Sequence, residues 1–232
     1  MRGKRVSAFV AAAILGSTGA AAWAAPFAGG TFEGTGLGQN DYPSNTTIGS
    51  FVVGDPNGTG ATAASDSDAV FIRTNDANRA HGGVASITFY GGSRTTQELY
   101  QTFDTTPGLT YTVGFFSREA QVGANNNFKA NVYDGQLNAS AAGLPFRNSN
   151  TQGAALGGVT IPDVPNSTYN ATPTQFTFTA ASGTSTLVFR TDNTAGDAEI
   201  DLDDVTVAVP EPASAGLLGL GALGLLARRR RR

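Results

Sequence analysis

The segment TYTVGFF, residues 110–116, is the clearest structural signal in the chain. Its large apolar side chains occur at every second position, so that Tyr111, Val113 and Phe115 share one face of an extended chain. Successive side chains of a β-strand point to opposite faces, and aromatic and β-branched residues favour strands. The segment therefore predicts a strand with one buried face.

The same alternation recurs along the chain, and clusters of Gly, Pro, Asn and Asp typical of turns separate the segments. The further candidate strands are SFVV (50–53), AVFIRT (69–74), VASITFY (84–90), ELYQTF (98–103), FKANVYD (128–134), QFTFTA (175–180), STLVFRT (185–191) and AEIDLDDVTVAV (198–209). About eight short strands with such turns predict an all-β fold, an antiparallel β-sandwich or jelly roll. Two long polar connections, 34–68 and 136–171, interrupt the pattern and are either functional loops or surface insertions.

The last candidate strand contains an irregularity. Ile200 and Leu202 share one face, but the two sets differ in phase by one residue, since the second face is shared by Val205, Val207 and Val209. A β-bulge at Asp203–Asp204 would bring both sets to the same side of the sheet. The sequence therefore predicts a bulge that carries two acidic side chains.

The N-terminus has the features of a secretory signal peptide. Arg2, Lys4 and Arg5 precede an apolar run over residues 6–22, and Ala22-Trp23-Ala24 places small residues at a cleavage position. A buried N-terminal helix would normally carry a polar face. We expect a signal-peptide helix over residues 1–24, with cleavage after Ala24.

The C-terminus combines three features in order. Pro210, Glu211 and Pro212 break regular structure, residues 213–227 form an uncharged apolar run, and Arg228, Arg229, Arg230, Arg231 and Arg232 form a basic cluster. As a helix, the apolar run would span about 22 Å, which is short of the roughly 30 Å hydrocarbon core but sufficient with local thinning. Arginines beside an apolar segment stay cytoplasmic, so a single transmembrane helix would leave the body outside. A nucleic-acid-binding patch is the alternative for the arginines.

These features at residues 209–232 resemble the PEP-CTERM protein-sorting tail of Gram-negative bacteria. The resemblance implies that an exosortase recognises Pro210, Glu211 and Pro212 and processes the tail, so that the protein reaches the cell envelope, the outer surface or the extracellular matrix. Its partners would be the exosortase and the secretion machinery, with the membrane as a temporary anchor. The resemblance also implies a role linked to exopolysaccharide and biofilm.

Composition limits the chemistry of the body. Of the 18 acidic residues 17 lie between the two ends, whereas eight of the 15 basic residues lie in the ends, so the body is strongly acidic. Such a body repels nucleic acid. The chain has no cysteine, which excludes disulfides, thiol catalysis and cysteine-based zinc sites. Its only tryptophan, Trp23, lies in the predicted signal peptide.

Three segments of the body, GGTFEG (29–34), LYQTFDTTPGLTYTVGFF (99–116) and AEIDLDDVTVAV (198–209), are similar to galactose-binding-like jelly rolls. That fold is shared by many carbohydrate-binding modules. The resemblance implies one structural calcium ion at Glu33 and Asp203 or Asp204, because an acidic residue after the first strand and one in the last strand often share calcium in this fold. An acidic edge that deters strand pairing is the alternative. Carbohydrate-binding relatives usually carry tryptophans, which this body lacks.

Saccharide binding needs aromatic platforms beside hydrogen-bonding groups, and the loop tyrosines Tyr42 and Tyr169 are the candidates. His81 is the single histidine and is interpreted as a surface loop residue. The chain has no G-x-S-x-G motif, and no pair of carboxylates stands out for glycoside hydrolysis. No catalytic residue is therefore assigned.

The sequence divides the chain into a signal peptide (1–24), a β-sandwich domain (25–208) and a sorting tail (209–232). It predicts an exported, non-enzymatic protein of the cell surface or matrix. A carbohydrate-binding module is the first alternative, and a glycoside hydrolase is the second. Extracellular polysaccharide is the expected macromolecular partner, and nucleic acid is not.

Overall fold

The computed structural model describes residues 27–35, 47–54, 70–74, 76–90, 96–121, 127–138, 149, 152–162, 168–192 and 199–209. These residues form β-strands joined by turns and loops, in agreement with the all-β prediction. The strands are β1 (Thr47–Ile48), β2 (Phe51–Gly54), β3 (Val70–Arg73), β4 (Ser86–Tyr90), β5 (Thr96–Asp104), β6 (Thr110–Gln121), β7 (Phe128–Asp134), β8 (Gly157–Ile161), β9 (Thr174–Thr179), β10 (Thr184–Asp192) and β11 (Glu199–Ala208).

The strands form two antiparallel sheets. One sheet has the order β1-β2-β5-β10-β7-β8, and the other has the order β3-β4-β11-β6-β9. Strands that are distant in the chain are neighbours in each sheet, as β5 and β10 are, so the connections cross between the two layers. This architecture is the antiparallel jelly-roll sandwich that the alternating segments predict.

The core lies between the two sheets and is built from the alternating residues. Tyr111, Val113 and Phe115 are 3%, 0% and 0% exposed, so β6 turns the predicted face inward. Phe115 meets Phe189 of the opposite sheet edge to face, with ring centroids 5.2 Å apart. Burial of each such side chain contributes about 1.5–3 kcal/mol, so the aromatic core is the main stabilising element of a domain without disulfides.

The bulge predicted in the last strand is confirmed. Asp203 pairs with Phe116 and Thr206 with Gly114, so two residues of β11 face only Phe115 of β6. Asp204 adopts a left-handed backbone conformation, with φ at 49°. The extra residue restores the inward direction of the apolar side chains in the second half of β11.

The long connection over residues 136–171, predicted to be a functional loop or a surface insertion, contains a strand that the sequence did not indicate, β8. The strand reads GGVTI, and its two glycines and lack of aromatic residues hide the alternation. Gly157 lies where the edges of the two sheets meet, and a Cβ there would come within 2.4 Å of the Thr177 carbonyl oxygen. Glycine thus permits the close approach that closes this side of the sandwich.

The predicted signal-peptide helix and the predicted transmembrane helix both lie outside the described residues. Within the described parts of the chain, no helix has the length and apolar character needed to cross a bilayer.

Candidate functional site

Three acidic residues of β11 lie on the outer face of the five-stranded sheet and are nevertheless buried. Because Ile200 and Leu202 point into the core, alternation directs Glu199, Asp201 and Asp203 to the other face. Their exposed fractions are 7%, 0% and 0%. Charged groups are rarely buried unless they are paired, so this face requires compensating partners.

The loop of residues 76–85, which joins β3 to β4, supplies many of these partners and is here named the clamped loop. Glu33 holds one side of it: its Oε1 atom accepts hydrogen bonds from the backbone N–H groups of Val84 (2.7 Å) and Ala85 (2.8 Å). Gly83 has φ at +70°, and a Cβ there would come within 2.2 Å of Glu33 Oε1. The sequence Gly82-Gly83 therefore allows the loop to approach the carboxylate.

Asp203 holds the other side of the clamped loop. Its Oδ2 atom accepts hydrogen bonds from the backbone N–H groups of His81 (2.8 Å) and Gly82 (3.1 Å). Its Oδ1 atom accepts a hydrogen bond from the backbone N–H of Asp204 (2.7 Å), within the bulge itself. The bulge therefore aims this carboxylate into the loop rather than into solvent.

The imidazole of His81 is held on three sides. Its Nδ1 atom lies 2.7 Å from Asp204 Oδ2. The ring stacks on Phe116, with centroids 3.5 Å apart, and meets the edge of Tyr169 at 5.3 Å. The imidazole is therefore fixed in orientation by the bulge, by β6 and by the segment before β9.

Asp201 is the centre of a buried ionic cluster. Its Oδ1 atom accepts hydrogen bonds from Arg79 Nη2 (2.8 Å) and from the Thr88 hydroxyl (2.6 Å). Its Oδ2 atom accepts a hydrogen bond from Arg118 Nε at 3.1 Å. Two guanidinium groups and one hydroxyl thus compensate a carboxylate that has no contact with water.

Glu199 extends the cluster toward β3. Arg79 Nη2 donates a hydrogen bond to Glu199 Oε2 at 2.5 Å, and Arg73 Nη2 lies 3.5 Å from Glu199 Oε1. Arg79 therefore bridges two carboxylates of β11 from the clamped loop. This arrangement ties the loop to the last strand by charge as well as by backbone hydrogen bonds.

Tyr169 contacts both arginines of the ionic cluster. Its hydroxyl donates a hydrogen bond to the backbone carbonyl of Arg79 (2.7 Å), and the Arg118 guanidinium lies 5.0 Å from its ring centroid. Burial raises the pKa of Tyr169 well above its usual range, and the negative charges of Asp201 and Asp203 raise it further. The phenol therefore stays protonated as a hydrogen-bond donor.

Two other groups at the site have shifted pKa values. Burial raises the pKa of Asp203 to about 7, although the N–H groups of Gly82, Asp204 and His81 favour its charged form. Burial alone would lower the pKa of Arg79, but the hydrogen bonds and charges of Asp201 and Glu199 raise it above its usual value. Arg79 therefore remains charged, and the Asp203 carboxyl titrates close to neutral pH.

Four of the residues selected from the sequence converge on the clamped loop. Glu33, Asp203 and Asp204 approach it from two sides, and Tyr169 contacts its His81 and Arg79. In the part of the chain that the structure describes, no group of three or more His, Cys, Asp or Glu residues is arranged to hold a metal ion. The oxygens of Glu33 and Asp203 face backbone N–H groups instead, so calcium binding at these residues stays a prediction.

The other selected residues lie outside the described ranges, and their roles stay predictions. They are Ala22, Ala24, Tyr42, Pro210, Glu211, Pro212 and Arg228–Arg232.

The sequence reasoning missed the importance of His81, Arg79, Arg118 and Asp201. The sequence indicates an ordinary surface residue at His81, because it is the single histidine and lies in a loop. The available signal was the phase of β11, which places Asp201 outside the core and therefore demands a partner. The partners themselves come from residues more than 80 positions away, which no local pattern reveals.

A second polar cluster lies on the outer face of the six-stranded sheet. Glu98 is fully buried and accepts hydrogen bonds from the Ser149 hydroxyl (2.6 Å) and backbone N–H (3.1 Å). Arg190, which is directly opposite Glu98 in the register, donates to the Ser149 hydroxyl at 3.4 Å. Beside this cluster Tyr100 and Tyr133 belong to a small apolar group that also includes Leu137 and Val188.

Part of this outer face is accessible to solvent. Tyr133 and Asn131 are half-buried, and Thr160 of the neighbouring strand is exposed. Burial raises the pKa of Tyr133, and hydrogen bonds to Ser149 and Asn131 oppose that shift. The sequence could have identified Tyr133, because it has the opposite phase to the core residues Ala130 and Val132 of β7.

Comparison with known proteins finds one family match. Residues 208–232 match the model of the PEP-CTERM protein-sorting motif. The chain therefore carries this sorting motif, which indicates export and exosortase-dependent sorting to the cell surface or beyond. No curated protein matches the chain in sequence.

Comparison of structures finds β-sandwich modules. A CBM4 module has 15% identity and a TM-score of 0.46, covering 79% of this chain and 99% of that chain. TmCBM61, solved with β-1,4-galactotriose, has 15% identity and a TM-score of 0.43, covering 69% and 88%. The K1 cleaved adhesin domain of Lys-gingipain from Porphyromonas gingivalis W83 has 18% identity and a TM-score of 0.45, covering 74% and 97%. These likenesses concern the sandwich architecture, and no functional conclusion follows from them.

Proposed function

We propose that this chain is an exported, non-enzymatic β-sandwich protein of the cell surface or extracellular matrix, associated with exopolysaccharide or biofilm. The observation that carries this proposal is the direct junction between the folded body and the sorting motif. β11 ends at Ala208, and the motif match begins at the same residue. The sandwich is thus the part of the chain that the sorting signal delivers.

The described polar groups on the five-stranded sheet support a structural role. Asp201, Glu199 and Arg79 satisfy one another, and Glu33 and Asp203 accept backbone N–H groups of the clamped loop. Such an arrangement fixes a loop in place, because Arg79 pairs with two carboxylates of β11 while Glu33 and Asp203 accept hydrogen bonds from the loop backbone. It suits a durable surface protein that lacks disulfides.

The export route that we propose uses residues 1–24 as a signal peptide and residues 213–227 as a temporary membrane anchor. Removal of residues 210–232 is expected to send the protein freely into the medium. Fractionation of cells, with mass spectrometry of the mature termini, measures this. As a matched control, Ser214→Ala should leave sorting unchanged. Surface retention of the shortened protein equal to that of the full chain would contradict the proposal.

Carbohydrate binding is the second candidate, and the open part of the six-stranded sheet favours it. Tyr133 is half-buried and lies beside the Asn131 amide, and the exposed Thr160, opposite Lys129, lies further along the same face. A ring flanked by hydrogen-bonding groups is the kind of surface that binds a sugar. This face would then bind an extracellular polysaccharide in the surroundings of the cell.

A glycan array and affinity electrophoresis in exopolysaccharide separate the two candidates. If the chain is a binding module, exopolysaccharide in the gel is expected to slow its migration. The Tyr133→Ala variant is expected to bind the polysaccharide at least tenfold more weakly. Thr177→Ala, an exposed change on the opposite sheet, is the control that should leave it unchanged. A blank array together with unretarded migration would favour the purely structural function.

A further inference from the structure

One end of the sandwich adjoins the sorting motif, and the other end lies away from it. β11 runs toward Ala208, which lies opposite Thr112 near the start of β6. Backbone hydrogen bonds join the turns at that end: Ala180 N–H donates to Leu109, and Thr105 N–H donates to Gly183. We name this end, formed by residues 105–109, 135–137, 180–183 and 209, the motif end.

Few residues separate the motif end from the predicted membrane segment. Val209 is the last described residue, and only Pro210, Glu211 and Pro212 precede the apolar run that begins at Ala213. A fully extended chain advances at most about 3.6 Å per residue, so Val209 lies within about 14 Å of Ala213.

This distance is comparable with the thickness of the lipid surface. A bilayer measures about 40–45 Å with its headgroups and about 30 Å without them, which leaves roughly 5–8 Å of headgroup region on each side. A sandwich tethered within about 14 Å of the hydrocarbon boundary therefore has almost no free space beneath it. Its motif end must face the membrane.

The side chains at the motif end agree with brief contact rather than firm adhesion. Leu109 is 41% exposed and Val209 is 37% exposed, and these are two of the three large apolar side chains that are exposed in the described part of the chain. Asp104 and Asp134, both exposed, flank the turns. The described turns 105–109, 135–137 and 180–183 contain no Lys or Arg, so anionic lipid would not hold this end by charge.

We propose that the motif end lies against phospholipid headgroups while residues 213–227 are in the bilayer, with Leu109 as its apolar contact. This inference rests on the proposed sorting function, because it requires an inserted tail. The opposite end, which includes Pro162, points away from the membrane. Once the tail is cut, nothing basic at the motif end retains the sandwich, so processing releases it.

The absence of cysteine from the chain permits a clean test with single-cysteine variants of the full protein. Leu109→Cys and Gly183→Cys place a fluorophore at the motif end, and a Cβ at Gly183 meets no atom within 4 Å. Pro162→Cys places it beyond Ile161, which pairs with Phe128 at the far end of β7. The two ends are roughly 25 Å apart at about 3.3 Å per strand residue.

The labelled proteins are reconstituted in phosphatidylcholine vesicles with a nitroxide on the lipid headgroups, which quenches only nearby fluorophores. We expect the nitroxide to lower the fluorescence at least twofold at positions 109 and 183. At position 162 the fluorescence should fall by less than a tenth. Equal quenching at the two ends, or stronger quenching at position 162, would overturn the proposal. Quenching at the motif end that appears only when exosortase is added would also overturn it, since lipid alone would then not hold this end at the headgroups.

Flotation with the vesicles separates this inference from the function on which it rests. The full chain should float with the lipid, and the double variant Leu220→Asp and Leu223→Asp should not, because charges break the apolar run. If the unmodified full chain fails to float, both the anchoring and the orientation are wrong. If it floats but position 109 is not quenched, only the orientation is wrong.

Discussion

Asp201 shows most clearly how single residues stabilise this fold. Its carboxylate is fully buried and is compensated by Arg79, Arg118 and Thr88. Removal of one member of such a cluster leaves the others buried without a partner, which strongly destabilises the folded state. Loss of the Asp201 carboxylate would therefore remove a partner from both Arg79 and Arg118.

Asp201→Ala is expected to lower the free energy of unfolding by about 3–5 kcal/mol. Urea denaturation followed by circular dichroism measures the change. Asp134→Ala, which removes an exposed acid, serves as the control and should stay within about 0.5 kcal/mol of the unmodified protein. Equal values for the two variants would show that the ionic cluster contributes nothing.

Tyr169 gives the stability a dependence on alkaline pH. Burial raises its pKa above that of a tyrosine in the unfolded chain, so its contribution is complete below about pH 10 and declines as the pH rises further. The free energy of unfolding should therefore fall between pH 10 and pH 12, by up to about 1.4 kcal/mol per pH unit from this residue.

Tyr169→Phe tests this effect. The variant should lose about 1 kcal/mol at pH 7, because it lacks the hydrogen bond to Arg79, and should show a shallower decline above pH 10. Urea denaturation at a series of pH values measures both. Parallel profiles for the two proteins would contradict the assignment of a buried, protonated phenol.

At the scale of secondary-structure elements, the bulge in β11 and the clamped loop form one unit. The bulge places Asp204 at φ 49° and turns Asp203 toward the loop amides. The loop in turn has Gly83 at a positive φ, beside Glu33. Both elements use backbone conformations that ordinary residues avoid, so their sequences are constrained at these two positions.

Asp204→Val is expected to destabilise the protein by about 1–2 kcal/mol or more, because a β-branched residue does not fit the left-handed conformation. Asp204→Asn, which tolerates that conformation, should cost much less. Thermal unfolding of the two variants under the same conditions provides the comparison. Equal losses for the two variants would mean that the His81 contact, and not the backbone, dominates this position.

Gly83→Ala tests the loop. A Cβ at Gly83 would overlap Glu33 Oε1 and would also sit at an unfavourable φ, so we expect a loss of about 2 kcal/mol. Gly183→Ala is the matched control, since a Cβ there has open space around it. The melting temperatures of the pair decide the matter, and indistinguishable values would refute the close contact between Glu33 and the loop.

At the scale of the whole molecule, the first described segment meets the last strand. The Gly30 carbonyl accepts a hydrogen bond from the Val205 N–H at 2.9 Å, next to the bulge. Glu33 reaches the clamped loop from the same segment. The two ends of the sandwich domain are therefore joined at the position where the sequence predicts calcium.

A calcium ion at Glu33, Asp203 and Asp204 would add to this junction. The expectation is that EDTA lowers the melting temperature of the unmodified protein by several degrees, since ligand binding stabilises the folded state. Asp203→Ala should melt at one temperature with or without EDTA, whereas Asp134→Ala should keep the sensitivity. Differential scanning calorimetry provides the readout, and an unmodified protein indifferent to EDTA would remove the predicted ion.

The strands were predictable because each aromatic or β-branched alternation is a local property. The segments around Tyr111, Leu187 and Ile200 all became strands with the expected faces inward. β8 was not predictable, because two glycines replace the side chains that would have shown its period. Its existence depends on pairing with β7, which is a tertiary contact.

The site was predictable only in part. Glu33, Asp203 and Asp204 could be selected through the resemblance to jelly rolls, but the expectation that Glu33 follows the first strand is wrong. Glu33 lies before β1, and β1 belongs to the other sheet from β11. The role of His81 could not be predicted, because its partners Phe116 and Tyr169 lie far along the chain. A loop residue acquires such a role only when the strands bring distant segments together.

The sandwich class, the bulge and the sorting motif follow from the amino-acid sequence, because alternation, phase and motif order are each properties of a few neighbouring residues. The covering of the acidic face of β11 by residues 76–85, with Arg79 and Arg118 as ionic partners, depends on tertiary contacts. A buried carboxylate requires a compensating partner, but its local sequence does not indicate where in the chain that partner lies. The pairing of strands determines this, since it brings distant side chains to one face of a sheet.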